Sequence, residues 1–121
     1  MFFKNARIFT GTGWQFGGFE VTDEGKFGRF FFDLQPEDGI DLNGQKVIPG
    51  LVDVHIHGAM GADFSDGDYE GLKAMARYFA QCGVTSFAPA SMTLPYDVLS
   101  KAFANAKQLK QEAPEGYSRI M

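Results

Sequence analysis

The segment Ile48–Gly58 combines an alternating pattern of β-branched residues with both histidines of the chain. In a β-strand, successive side chains point to opposite faces, so residues two positions apart share a face. His55 and His57 are therefore predicted to project from one face, with Asp53 behind them. The other face is predicted to be buried through its β-branched residues, which are Val52, Val54 and Ile56.

Two imidazoles on one strand face form a candidate metal site. Their Cα atoms would lie ~7 Å apart, and the rings can tilt onto one ion with bonds of about 2.1 Å. Pro49-Gly50 precedes the strand and a glycine-rich, flexible loop is expected after it, as in strands that deliver ligands to the mouth of a parallel barrel. The alternative is a pair of polar residues on a solvated face.

Composition excludes several classes of function. The 121 residues carry a net charge of −4, with no cluster of basic residues of the kind that binds nucleic acid or an anionic membrane. No apolar run approaches the ~20 residues that span a bilayer, and the N-terminus lacks the pattern of a signal peptide. Cys82 is the only cysteine, so we expect a cytoplasmic protein in which Cys82 is a small core residue and not a catalytic thiol.

Residues 1–47 predict a small all-β unit. Gly25 is expected to adopt positive φ in a turn, and Asn43-Gly44 predicts a hairpin between residues 40–42 and 46–48. Phenylalanine is abundant, with 13 residues, nine of which lie in roughly the first quarter of the chain. So much aromatic surface needs a partner to cover it. The three longer predicted strands are Lys4–Thr10, Phe16–Thr22 and Phe27–Leu34.

After Pro49 the pattern changes to strands alternating with helices, which is typical of parallel α/β folds. Strands are predicted at residues 51–57, 84–88 and from Ser118. Asp66 or Asp68 can cap the first helix, which ends near Cys82 with Gly83 as its C′ residue. Thr93 is the predicted cap of the second helix, which runs to about Gln111. The predicted buried residues of the two helices are Leu72, Met75, Ala76 and Phe79, and Leu99, Ala102, Phe103, Ala106 and Leu109.

The stretch Ile48–Gly58, with its Pro-Gly-x-x-Asp-x-His-x-His pattern, resembles the first barrel strand of the amidohydrolase superfamily. The loop that follows and the stretch Gly83–Thr93 are similar to the N-acetylglucosamine-6-phosphate deacetylase family. The likeness runs along essentially the whole chain.

The resemblance implies a (β/α)8 barrel preceded by a small β-sandwich, both incomplete in this chain. Residues 1–48 would form the N-terminal part of the sandwich, and residues 49–121 the first strands and helices of the barrel. The implied activity is metal-dependent hydrolysis of the acetamide of N-acetylglucosamine 6-phosphate, a small amino-sugar phosphate, to glucosamine 6-phosphate and acetate. The family also implies a homodimer.

The resemblance carries over only part of an active site. His55 and His57 match the metal-binding pair, with Asp53 as a carboxylate supporting that pair, and Gly58, Ala59, Met60 and Gly61 match the loop beside the substrate's acetyl group. The metal could be zinc, iron, manganese or cobalt. The remaining ligands and the aspartate that acts as general base are expected beyond Met121, so the chain alone is expected to be inactive and Met121 is not expected to be the natural end of the enzyme.

Three alternatives remain open at this point. The substrate could be N-acetylgalactosamine 6-phosphate. The chain could belong to another amidohydrolase, of the dihydroorotase or hydantoinase type. It could also be a non-catalytic module that binds a metal or a partner through its aromatic β face.

Overall fold

The computed structural model describes every residue from Met1 to Met121, and the chain divides into two units, Met1–Pro49 and Gly50–Met121. The first unit is all-β. The second is mixed α/β. Neither helix of the second unit is long and apolar enough to cross a membrane.

The first unit is a five-stranded sheet of β1 (Phe2–Phe9), β2 (Trp14–Val21), β3 (Phe27–Phe31), β4 (Ile40–Asp41) and β5 (Lys46–Val47). Strand β2 lies between β1 and β3, with antiparallel pairing on both sides. The other edge of β1 pairs with two short strands, β4 and β5. Gly25 makes the predicted turn between β2 and β3 with a φ of 73°.

The prediction of a hairpin at Asn43-Gly44 is wrong, although a turn does form there. Asn43 and Gly44 have φ values of 50° and 78°, and the Gln45 amide donates a 2.9 Å hydrogen bond to the Leu42 carbonyl. Both β4 and β5 nevertheless run parallel to β1. The turn fits a bulge of β1 at Asn5, whose carbonyl accepts a 2.6 Å hydrogen bond from the Gly44 amide. Pairing with the bulged strand thus replaces pairing between β4 and β5.

The buried core of the first unit is small, and most of its aromatic surface is uncovered. Ala6, Ile8 and Phe19 are buried. Phe27 and Phe30 are 62% and 46% exposed, and both line a cavity of about 590 Å³. The abundance of phenylalanine therefore produces an open apolar surface within this sequence.

The elements of the second unit are β6 (Leu51–Ile56), β7 (Gly58–Ala59), β8 (Ala62–Asp63), the 3₁₀ helix (Phe64–Asp66), α1 (Tyr69–Gln81), β9 (Val84–Pro89), α2 (Tyr96–Glu112) and β10 (Arg119–Ile120). Its parallel three-stranded sheet has the order β10-β9-β6, and parallel pairing was expected for these strands. A two-stranded antiparallel hairpin and a 3₁₀ helix follow β6.

Helix α1 matches its prediction closely. Asp68 is the N-cap, and its carboxylate accepts a hydrogen bond from the Glu70 amide. Gly83 follows the C-cap with a φ of 81°. Cys82 is exposed, contrary to the prediction of a core residue, because it lies at the C-cap outside the apolar stripe. The buried stripe is the predicted one: Leu72, Met75, Ala76 and Phe79.

Helix α2 differs from its prediction at the start. Its N-cap is Pro95, without a side-chain hydrogen bond, so Thr93 is not the cap. Phe103 is 53% exposed, although its ring lies 5.7 Å from that of Phe64. The three buried positions of the predicted stripe are Ala102, Ala106 and Leu109.

The apolar face of β6 is exposed, which corrects the prediction of a buried strand face. Val52 and Val54 are 56% and 71% exposed. Strand β6 is an edge of its sheet, whereas the helices pack on β9 and β10. Ile56, the third residue of that face, is half-buried against the core of the second unit, whereas no element of that unit covers Val52 and Val54.

Candidate metal centre

The two imidazoles meet at the carboxyl end of β6. The Nε2 atoms of His55 and His57 lie 3.3 Å apart, and the ring planes are inclined at 82°. His55 is in the strand and His57 follows its last residue. The local alternation of side chains is enough to bring both rings to one side.

This geometry fits two ligands of one metal ion. Nitrogen ligands about 2.0–2.1 Å from a tetrahedral ion are separated by about 3.4 Å. The same separation also allows one neutral imidazole to donate a hydrogen bond to the other. Nδ1 of His57 is buried and has no hydrogen-bond partner, which is unusual for a buried polar atom. Metal ligation through Nε2 would leave Nδ1 as the protonated nitrogen, still in need of an acceptor.

Asp53 lies on the same strand but does not reach the imidazoles. Its Oδ1 accepts a 3.0 Å hydrogen bond from the backbone amide of His55. No cluster of three or more histidine, cysteine, aspartate or glutamate side chains capable of holding a metal occurs in the chain. The histidine pair thus offers two candidate nitrogen ligands, one fewer than a catalytic zinc site typically takes from the protein.

The backbone at the end of β6 is held from two sides. The carbonyl of Ile56 accepts a 2.8 Å hydrogen bond from the Ala90 amide, and the carbonyl of His57 accepts a 2.7 Å hydrogen bond from the Phe64 amide. These bonds connect the histidine pair to the segment after β9 and to the 3₁₀ helix. The backbone that carries the imidazoles is therefore hydrogen-bonded to two neighbouring segments.

The predicted substrate loop is a tight hairpin instead of a flexible loop. Gly58 and Ala59 form β7, which pairs with β8. Met60 and Gly61 form the two-residue turn, with φ values of 58° and 77°, as the right-handed twist of a hairpin favours. Gly58 has no room for a side chain, because a Cβ atom there would clash with the Ala62 carbonyl.

Ser65 is absent from the predicted site, yet the structure places it in the same region. It is 5% exposed, and its hydroxyl accepts a hydrogen bond from the Met92 amide. Asp63 and Asp66 form a capping box around the 3₁₀ helix that contains it. The acidic pair three residues apart is the sequence signal for this local turn, whereas the contact with Met92 has no local signal.

No protein-family model matches the chain. Among curated proteins, it is 33% identical over 117 residues to the N-acetylglucosamine-6-phosphate deacetylase of Vibrio furnissii, covering 94% of this chain and 29% of that protein. The human protein of the same name is 31% identical over 125 residues, with the same coverage of both. The chain therefore spans less than a third of the length of these relatives.

Solved structures of deacetylases are also similar to this chain, again over most of the chain and less than a third of each solved protein. The N-acetyl-D-glucosamine-6-phosphate deacetylase of Mycobacterium smegmatis matches with a TM-score of 0.79 and 22% identity, over 92% of this chain and 30% of that one. The enzyme of Pasteurella multocida matches with a TM-score of 0.74 and 25% identity, over 88% and 29%. A D-hydantoinase also matches, with a TM-score of 0.53 and 24% identity over 87% of this chain and 24% of that one, so its fold is similar over this portion. The resemblance seen in the sequence is confirmed: over nearly its whole length, the chain is homologous to a portion of the N-acetylglucosamine-6-phosphate deacetylases.

Proposed function

We propose that this chain forms part of a metal-dependent deacetylase that hydrolyses the acetamide of N-acetylglucosamine 6-phosphate. The observation that carries the proposal is the 3.3 Å approach of the two Nε2 atoms in a chain homologous to enzymes of that name. A variant of the Mycobacterium smegmatis enzyme has been solved in complex with N-acetyl-D-glucosamine-6-phosphate, which supports the same substrate class here.

His55 and His57 would hold a divalent ion, whether zinc, iron, manganese or cobalt. When bound, such an ion polarises the amide carbonyl and lowers the pKa of a water molecule. Asp53 would act indirectly, because its carboxylate fixes the backbone of His55. The hairpin Gly58–Gly61 would form a rigid wall beside the acetyl group. The proposal assigns further ligands and the general base to residues outside this sequence.

The proposal also assigns the two units of this chain to domains of the complete protein. Residues 1–48 would belong to a small β-sandwich, and residues 49–121 would supply the first strands and helices of a (β/α)8 barrel. Two uncovered apolar surfaces support this assignment, since the valine face of β6 and the aromatic face of the first unit both need further elements over them. The assembled enzyme would be a cytoplasmic homodimer.

Metal binding tests the histidine pair directly. We expect the intact chain to bind Zn²⁺ in calorimetric titration, and His55→Ala or His57→Ala to weaken binding by about tenfold or more. Asp97→Ala is the matched control, because Asp97 is an exposed carboxylate at the start of α2. Equal affinities in all four proteins would show that the pair is not a metal site.

Activity requires a longer protein. We expect acetate release from N-acetylglucosamine 6-phosphate when this chain replaces the corresponding portion of the Vibrio furnissii enzyme. The double variant His55→Ala, His57→Ala of that chimera should lose most of its activity, whereas Asp97→Ala should retain it. A double variant with full activity would contradict a catalytic role for the pair.

A further inference from the structure

A second candidate site lies on the first unit, on the sheet surface formed by the ends of β1, β2 and β5. A cavity of about 460 Å³ is lined there by two cationic and two aromatic side chains together with Gln15. Its volume falls within the roughly 300–1,000 Å³ typical of sites for small molecules. We call it the Arg-Trp pocket and define it by Arg7, Trp14, Phe16 and Lys46.

The two cations of the Arg-Trp pocket are direct neighbours across a strand pair. Arg7 on β1 is opposite Lys46 on β5, and like charges in this position destabilise a sheet. Neither side chain has an ion-pair partner, because the three ion pairs of the chain involve Lys26, Arg29 and Lys73. The pocket therefore carries two adjacent positive charges that no acidic side chain balances, in a chain whose net charge is −4.

The aromatic side chains add a flat surface beside the cations. Trp14 and Phe16 are two residues apart on β2, and they are 49% and 54% exposed. The ammonium group of Lys46 lies 5.6 Å from the centroid of the Trp14 ring, within cation–π range. Exposed aromatic rings next to cations are the combination that proteins use to stack bases while holding phosphate groups.

We propose that the Arg-Trp pocket binds a nucleoside monophosphate, with the base stacked on Trp14 and Phe16 and the phosphate held by Arg7 and Lys46. Guanidinium and ammonium groups both donate charge-assisted hydrogen bonds to phosphate oxygens. A bound phosphate would also remove the repulsion between the two cations. This site is separate from the histidine pair and does not depend on the proposed deacetylase activity.

Trp14 is the only tryptophan, so its fluorescence reports directly on the pocket. We expect adenosine 5′-monophosphate to quench it saturably in the intact chain. Adenosine, inorganic phosphate and glucosamine 6-phosphate should each bind at least about tenfold more weakly, because each lacks one of the two interactions. Phosphorus-31 line broadening of the nucleotide gives a second readout that does not use Trp14.

Variants identify the groups responsible. Arg7→Gln and Lys46→Gln should each weaken nucleotide binding about tenfold, whereas Arg29→Gln, which removes an exposed cation of the same unit, should not. Circular dichroism checks that each variant is folded, and either cation variant suffices if the other does not fold. Absence of saturable binding, equal binding of glucosamine 6-phosphate, or unchanged affinity in the cation variants would overturn the proposal.

Discussion

The side-chain hydroxyl of Ser65 accepts a 2.9 Å hydrogen bond from the backbone amide of Met92. Ser65 belongs to the 3₁₀ helix after β6, and Met92 lies in the segment after β9. The bond therefore connects the carboxyl ends of two neighbouring parallel strands. In parallel α/β folds, this is the edge at which ligands bind.

Replacing Ser65 by alanine should loosen this edge. We expect Ser65→Ala to lower the free energy of unfolding by about 1 kcal/mol, because the Met92 amide would lose its hydrogen-bond acceptor. Hydrogen exchange of the Met92 amide should accelerate at the same time, as measured by NMR. Ser100→Ala, at an exposed position of α2, is the control. Unchanged exchange at Met92 would show that the hydroxyl does not hold this segment.

The turn after β4 includes a residue in the left-handed backbone region, so adding a side chain at that position should lower the stability of the first unit. Gly44 has a φ of 78°, so Gly44→Ala should destabilise the first unit by about 1 kcal/mol. Gly13→Ala is the matched control, since Gly13 does not have positive φ and a Cβ atom there meets nothing within 4 Å. Denaturant unfolding followed by Trp14 fluorescence measures both. Equal midpoints for the two variants would contradict the strained turn.

The hydrogen bond between Tyr69 and Glu112 predicts a pH-dependent stability. The carboxylate raises the pKa of Tyr69 to about 12, and the donated hydrogen bonds from Tyr69 and Gln108 lower the pKa of Glu112 below its usual 4.5. The bond therefore stabilises the fold at neutral pH. The stabilisation is lost as the pH falls through the lowered pKa of Glu112, or rises through the raised pKa of Tyr69.

Tyr69→Phe should accordingly reduce stability at pH 7 and have little effect in strong acid, where Glu112 is protonated. Urea unfolding at both pH values measures the difference. Tyr96→Phe is the control, because Tyr96 is 87% exposed, and it should have no effect at either pH. A Tyr69→Phe effect of equal size at both pH values would exclude the carboxylate as its cause.

The uncovered aromatic surface of the first unit should bind hydrophobic dyes. Phe27, Phe30 and Phe32 line the larger cavity and are 42–62% exposed. We expect strong fluorescence enhancement of anilinonaphthalene sulfonate by the intact chain, and a clear reduction in the double variant Phe27→Ser, Phe30→Ser. Phe103→Ser in α2 is the control. A chain that does not bind the dye would show that these rings are covered in solution.

Helix α1 was predictable because all of its signals are local. Its apolar spacing, the cap at Asp68 and the positive φ of Gly83 lie within one short segment. The meeting of His55 and His57 is equally local, since strand alternation places residues two apart on one side. The hairpin prediction at Asn43-Gly44 is wrong because only the turn depends on local sequence. The strand that β4 and β5 pair with is decided by a distant segment, β1.

The sequence by itself determined the alternating apolar and polar faces, the buried stripe of α1, three residues of the stripe of α2, the turn residues and the resemblance to the deacetylase family, because these depend on neighbours within a few positions or on motifs. Only the tertiary structure decided that β4 and β5 both pair with β1, that Ser65 reaches Met92, and that Nδ1 of His57 is buried without a partner. It also decided that Val52 and Val54 are exposed. Hydrogen-bond partners and burial depend on which distant segment occupies the adjacent space, and local sequence patterns do not encode that choice.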